Sequence, residues 1–239
     1  MKKLIIFAFI VVVFWVFGLT VGCGFILTGS GDLKTEEYDF SDFDRVEVSS
    51  AFEFEISRSN SYSISIAADD NVIERVKVTK EGDNLKISLE TTPRLGSLTL
   101  KAVVTMPYLR GLAVSGASRG TISGFSSAND MDIKVSGASK VAGDIRADDV
   151  DFNVSGASAV QLEGSANNIV ANVSGASRFN LGDFMVNNAN ITFSGASTGT
   201  LNLSGKLDAN LSGASKLSYI GEPTMGYINT SGASALRRK

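Results

Sequence analysis

The composition of this 239-residue chain excludes several classes of function. It contains no His and a single Cys, which removes the commonest general base, an intrachain disulfide and a cysteine cluster for zinc. A formal net charge of −3 gives no dense Lys/Arg patch, so we expect no nucleic-acid partner. We also expect no cofactor and no bound metal.

The N-terminus has the pattern of an export signal over residues 1–22. Lys2 and Lys3 precede an uncharged apolar run from Leu4 to Leu27. The run contains Cys23 in the stretch LTVGC, which resembles a bacterial lipobox, although Thr20 stands where a leucine is usual. We predict that Cys23 is lipidated and that the protein is anchored to a membrane of the cell envelope, outside the cytoplasm.

Two alternatives to lipidation remain open. The 24 residues from Leu4 to Leu27 are long enough for an uncleaved membrane-spanning helix. An ordinary secretory signal with an incidental cysteine would also fit the pattern. All three interpretations export the remainder of the chain.

The segment after the cysteine predicts a short lipid-anchored tether over residues 23–37. Its sequence, GFILTGSGDLKTEE, begins with small residues and becomes charged. Residues 38–108 then show alternating apolar and polar residues without a fixed period, for example in RVEVSSAFEFEI. We interpret this region as irregular β coils that cap one end of a stack, and a separate domain is the alternative.

Residues 109–239 carry a repeat that predicts the fold. The tetrapeptide SGAS occurs seven times, with its first serine at steps of 21, 19, 19, 20, 18 and 19 residues. Apolar residues alternate with polar ones before each copy, as in Phe152 and Val154 around Asn153. A period near 20 predicts an all-β, single-chain β-helix or solenoid with coils of about 19–20 residues.

The SGAS segments are predicted to be tight corners between strands. Glycine tolerates positive φ and close approach of neighbouring backbone, which a stacked corner requires. The alternative is that two columns of serine hydroxyls are displayed to a ligand. The predicted corner glycines are Gly116, Gly137, Gly156, Gly175, Gly195, Gly213 and Gly232.

The order of these segments resembles a known bacterial family. YDFSDFDRVEVSSAFEFEIS, then MPYLRGLAVSGAS, then repeated VSGAS, is similar to the "putative auto-transporter adhesin, head GIN domain" family over about residues 38–236. The resemblance implies a right-handed β-helix-like fold on a lipid-anchored surface protein. It supplies no catalytic residues.

The function suggested by these features is that of a non-catalytic, adhesin-like surface module. Its expected partners are the membrane and a glycan or surface protein, and the alternative is an envelope scaffold without a specific ligand. A polysaccharide-acting enzyme is a remote alternative that would use the acidic cluster Asp144, Asp148, Asp149 and Asp151, with Lys140 and Arg146 nearby. An exposed aromatic column would favour a binding module, and the candidates are Phe125, Phe184, Tyr219 and Tyr227.

Overall fold

The computed structural model describes residues 26–90 and 94–239, which form a β-solenoid of about seven turns. Within these ranges the only helix is the four-residue α1 (Asp70–Ile73). The predicted all-β solenoid is therefore confirmed. The predicted signal peptide and Cys23 lie outside the described residues. Where the structure describes the chain, no helix has the length and apolar character needed to cross a membrane.

Nine strands form the N-terminal part of the solenoid and eleven form the SGAS coils. The first set is β1 (Ile26–Leu27), β2 (Leu33–Tyr38), β3 (Arg45–Val48), β4 (Glu53–Arg58), β5 (Ser63–Asp69), β6 (Val76–Glu81), β7 (Asn84–Leu89), β8 (Arg94–Leu95) and β9 (Leu100–Met106). The second set is β10 (Gly111–Val114), β11 (Arg119–Ser126), β12 (Met131–Val135), β13 (Lys140–Val154), β14 (Ala159–Val173), β15 (Arg178–Phe193), β16 (Thr198–Leu203), β17 (Lys206–Leu211), β18 (Lys216–Ile220), β19 (Thr224–Thr230) and β20 (Ala235–Arg238).

The SGAS corners divide each regular coil between two faces. Strand segments that precede a corner pair in parallel from β10 to β19 and form what we call the first face. Segments that follow a corner pair in parallel from β11 to β20 and form the second face. The long strands β13, β14 and β15 begin on the second face, turn another corner and end on the first face.

The core lies between the two faces and is a ladder of stacked apolar side chains. Phe152, Ala171, Ile191 and Ala209 share one column, and each is at most 1% exposed. Large and small residues alternate in this column, so the side chains of Phe152 and Ile191 fill the space left by the alanines of the adjacent coils. Phe179 packs edge-on against Phe152, with ring centroids 4.9 Å apart. Because the strands are in register, the alternation in sequence becomes a continuous core.

The order of coils in space departs from their order in the chain near the N-terminus. Strand β3 pairs with β7 on one side and with β10 on the other. Strand β4 lies in the same way between β9 and β11. The coil formed by residues 45–58 is therefore inserted between a later coil and the first SGAS coil. The VSSAF segment takes the corner position in this coil, where Ser50 and Ala51 have φ of 67° and 63°.

Antiparallel strands close this end of the solenoid. Strand β5 pairs with β9, β2 pairs with β5, and β6 pairs with β7 through a tight hairpin. The edge strand β2 has the sequence LKTEEY, and such charges discourage pairing with another chain. Strands β1 and β8 form a separate parallel pair.

The predicted tether is wrong from residue 26 onward, because β1 and β2 belong to the folded body. The physical reason is Asp69, whose buried carboxylate accepts hydrogen bonds from the backbone N–H groups of Gly31 and Thr99 at 2.8 and 2.6 Å. These bonds hold the Gly/Ser segment against the cap. Sequence composition alone does not reveal a partner that lies 38 residues away.

Candidate functional site

The SGAS corners stack directly on one another along one edge of the solenoid. Gly175 has φ of +76°, and the N–H of Ala176 donates to the carbonyl of Gly156 in the preceding coil at 2.8 Å. A Cβ on Gly175 would lie 3.0 Å from the Gly156 nitrogen and closer still to its carbonyl oxygen. Positive φ recurs at the other predicted corner glycines, Gly116, Gly137, Gly156, Gly195, Gly213 and Gly232. The repeated glycine is therefore explained by backbone approach between coils.

The serines of the motif do not form two displayed columns of hydroxyls. The second serine is buried in each of the first six copies, for example Ser177 at 1% exposed. Its hydroxyl donates to the carbonyl of Ser174 at 2.8 Å and so closes the corner internally. Ser118, Ser139, Ser158 and Ser215 are buried in the same place without a hydrogen-bond partner among the described residues. The display hypothesis fails for this column, since its hydroxyls face inward.

The acidic cluster singled out in the sequence is divided between the two faces, and only Asp149 and Asp151 line a common cleft, together with Asp130. Asp144 lies on the second face, where it accepts a hydrogen bond from the N–H of Gly124 at 3.1 Å. Asp149 accepts from the amide of Asn168 at 2.7 Å, and Asn188 donates to Asn168 in turn at 2.9 Å. Asp151 points out from the first face. In residues 26–90 and 94–239, no group of His, Cys, Asp or Glu is arranged to hold a metal ion.

The aromatic residues suggested for an exposed column are dispersed. Phe125 and Phe184 are buried in the core, Tyr219 is half-buried, and Tyr227 is exposed on the last coil. These four residues therefore form no exposed aromatic column. Outside that set, the most exposed aromatic side chain in the described part of the chain is Tyr108, at 61%.

Tyr108 lines a cleft of about 320 Å³ at the side of the N-terminal coils. Five separated segments build it: four precede β3, β7, β10 and β12, which pair side by side in line with the first face, and the fifth, at Tyr62, precedes β5. Their side chains are Asp42, Phe43 and Asp44, then Tyr62, Asp83, Tyr108, Arg110 and Asn129. The volume is at the lower end of the range of ligand pockets, about 300–1,000 Å³. The cleft can accommodate a short stretch of a polymeric ligand.

Backbone hydrogen bonds hold the walls of this cleft in place. The N–H of Arg110 donates to the carbonyl of Asp44 at 2.7 Å, and that of Asp44 donates to Asp83 at 3.1 Å. The buried ring of Phe43 packs on Tyr62 with centroids 4.8 Å apart. The contacts therefore fix the backbone and the Phe43–Tyr62 ring pair on which the polar side chains of the cleft are mounted.

The polar groups of the cleft carry charges of both signs. Asp42, Asp44 and Asp83 provide carboxylate acceptors, and the guanidinium of Arg110 provides donors. Burial, followed by the negative charges of Asp42 and Asp44, raises the pKa of Tyr62 above its usual value. Like that of an ordinary tyrosine, its hydroxyl is protonated at neutral pH and can donate. The arrangement suits a ligand with many hydroxyl or amide groups.

Sequence reasoning did not identify this cleft. Its segments are up to 87 residues apart, the separation of Asp42 and Asn129. The available signals were DFD before β3 and PYLR before β10, in which an aromatic and a charge stand at the start of a strand. Neither segment is informative by itself, because the two are brought together only by the insertion of the 45–58 coil beside the first SGAS coil.

The fold and the cleft define a class of protein: a rigid all-β solenoid with a lateral cleft of aromatic and charged side chains. Residues 42–223 match the sequence profile of the family described as "Putative auto-transporter adhesin, head GIN domain", and the chain belongs to this family. The resemblance noted from the sequence is thereby confirmed. The description of the family names no catalytic activity.

Solved structures support the same fold. A "putative adhesin" from Bacteroides fragilis is 20% identical with a TM-score of 0.82, covering 89% of this chain and 100% of its own. A "putative adhesin" from Parabacteroides merdae is 15% identical with a TM-score of 0.67, covering 90% and 99%. A "putative lipid binding protein" from Parabacteroides distasonis is 22% identical with a TM-score of 0.66, covering 90% and 99%. No curated protein is significantly similar in sequence to this chain.

Proposed function

We propose that the protein is a non-catalytic, lipid-anchored module of the cell surface that binds a glycan or surface protein through the Tyr108 cleft. The cleft carries this proposal, because an exposed aromatic ring beside donors and acceptors on a fixed backbone is typical of a recognition site. The adhesin description of the family points in the same direction.

The charges of the cleft favour an uncharged polar ligand. A polyanion would meet the carboxylates of Asp42, Asp44 and Asp83, and a polycation would meet Arg110. Sugar hydroxyls both donate and accept, so they can use both kinds of group. The apolar side of a sugar ring can in addition contact the exposed ring of Tyr108.

Anchoring at Cys23 would place the cap of the solenoid at the membrane. Only two residues separate Cys23 from Ile26, where the described body begins, so the Cα atoms of Cys23 and Ile26 lie at most about 11 Å apart. The SGAS coils would then project away from the bilayer. The anchor thus accounts for a rigid body without a long linker.

The anchor is tested by Cys23→Ser. We expect the variant to move from the membrane fraction to the soluble or precursor fraction, because no thiol remains to receive lipid. Fractionation and intact-mass measurement report the change. Thr20→Leu is the matched control, since it brings the segment closer to the usual lipobox and should keep the protein lipidated. Unchanged mass and membrane retention of Cys23→Ser would support an uncleaved helix instead.

The cleft is tested by Tyr108→Ala in the full-length chain. A screen against glycans and surface proteins first identifies a ligand, and the variant is then expected to bind it about tenfold or more weakly, as for an aromatic hot spot. Tyr227→Ala is the control, because Tyr227 is also exposed but lies at the far end of the solenoid. If Tyr108→Ala binds as well as the parent, the cleft is not the site. A chain with no ligand in the screen would support the scaffold alternative.

A further inference from the structure

The residue that follows each SGAS corner lies in one straight column on the second face. In order along the solenoid the column contains Arg119, Lys140, Ala159, Arg178, Thr198, Lys216 and Ala235. We call its four cations, Arg119, Lys140, Arg178 and Lys216, the basic row. All four are exposed. The repeat thus places positive charge at one structural position in four of its seven copies.

The spacing of the basic row is set by the strands. Paired strands lie about 4.8 Å apart, so Arg119 and Lys140 are about 5 Å apart at the backbone. Two rungs, or about 10 Å, separate Lys140 from Arg178 and Arg178 from Lys216. The row therefore extends over about 24 Å in a line along the solenoid axis.

In the part of the chain that the structure describes, none of the four cations forms an ion pair with a neighbouring side chain, although Glu53 lies in register one rung beyond Arg119 and Glu55 lies beside Thr121 at that end of the row. The ion pairs found within the described residues, 26–90 and 94–239, involve none of the four cations. The next outward-facing column lies two residues further along each strand. Beside the row it is uncharged and consists of Thr121, Ala142, Gln161, Asn180, Thr200 and Ser218. A ligand on the row would thus find charge on one side and hydrogen-bonding groups on the other.

Acidic side chains lie at the edge of this surface that is further from the SGAS corner. Asp144, Glu163 and Asp183 are exposed and in register, four or five residues along the strands from the basic row. The row and this acidic column are separated by about 13 Å, which exceeds the Debye length of about 8 Å at physiological salt. A negatively charged chain would be attracted to the corner side of the face and repelled from the other side.

We propose that the basic row binds a linear anionic polysaccharide, aligned along the solenoid axis. Its carboxylates or sulfates would pair with the row and its hydroxyls with the neutral column. A single-stranded nucleic acid would require aromatic side chains on which bases stack, and neither column contains one. A bilayer is also disfavoured, because beside the row no large apolar side chain points outward from these two columns. This surface is separate from the Tyr108 cleft, and the proposal does not depend on it.

The test uses the full-length chain in non-ionic detergent and a polyuronate as the probe, without divalent cations. The parent is expected to bind the polyuronate more weakly as salt increases, and to bind a neutral dextran of similar length much less. A variant with Arg119, Lys140, Arg178 and Lys216 all replaced by Gln is expected to lose affinity about tenfold or more. Calorimetric titration measures both.

The matched control replaces Arg75, Lys77, Lys80 and Lys134 by Gln, which removes the same charge from other surfaces of the protein. It is expected to keep the affinity of the parent within about threefold.

Equal losses in the two variants would overturn the proposal in favour of overall charge, and equal binding of dextran would overturn the role of charge. Tighter binding of single-stranded DNA or of anionic vesicles than of the polyuronate would overturn the choice of ligand. Tyr108→Ala should leave polyuronate binding unchanged, so failure of this proposal and of the cleft proposal can be told apart.

Discussion

Gly175→Val is expected to destabilise the solenoid by about 2–5 kcal/mol. A left-handed backbone conformation costs an L-residue about 1–2 kcal/mol, and overpacking adds about 1–3 kcal/mol. Both apply here, because Gly175 has positive φ and a Cβ would meet the backbone of Gly156. Gly175 is in the middle of the stack, so the clash cannot be relieved at a free end. Chemical unfolding followed by circular dichroism measures the loss.

Gly182→Val is the control for this prediction. Gly182 lies in the neighbouring part of the same coil, but its φ is not in the left-handed region. An added Cβ would meet only the side-chain ends of Asn180 and Thr200, at 3.3 and 3.6 Å. We expect a loss below about 1 kcal/mol, typical of a surface substitution. Equal stability of Gly175→Val and the parent would contradict the tight-corner interpretation.

The regular coils could be predicted from sequence because their contacts repeat at a fixed period. Val114, Val135, Val154 and Val173 precede successive SGAS segments, and the structure pairs them in register. Period two identified the buried side of each strand, and the spacing near 20 residues identified the stack. In such a fold, the same local pattern determines every coil interface.

The N-terminal coils could not be ordered from sequence, because their contacts are not periodic. Strand β3 contacts β7 and β10, which are far from it and from each other in the chain. The DFD and PYLR segments acquire a common role only through that pairing. Loss of the strict repeat therefore also hides the Tyr108 cleft, which is lined by residues from five separated segments.

The basic row was accessible to sequence reasoning in principle. The seven residues after SGAS are Arg, Lys, Ala, Arg, Thr, Lys and Ala. Net charge conceals this pattern, since an overall value of −3 averages over all surfaces. Only the register shows that the charges share one column, beside a second column that is uncharged from Thr121 to Ser218 and that meets Glu55 beyond Thr121.

Phe179→Ala is expected to cost about 3–5 kcal/mol, because the removed ring leaves a cavity that the surrounding strands cannot close. Phe179 is 0% exposed, and its ring contacts Phe152 and Phe193 edge-on, with centroids 4.9 and 6.2 Å away. Phe179→Leu preserves most of the volume and should cost clearly less, whereas Met185→Ala, at a side chain 53% exposed on the same strand, should cost below about 1 kcal/mol. Phe179 also stands between Arg178 of the basic row and Asn180 of the neutral column, so a cavity beneath them should weaken polyuronate binding together with stability. Unfolding and titration of the same three variants test both effects, and full stability of Phe179→Ala would show that the aromatic ladder does not hold the coils together.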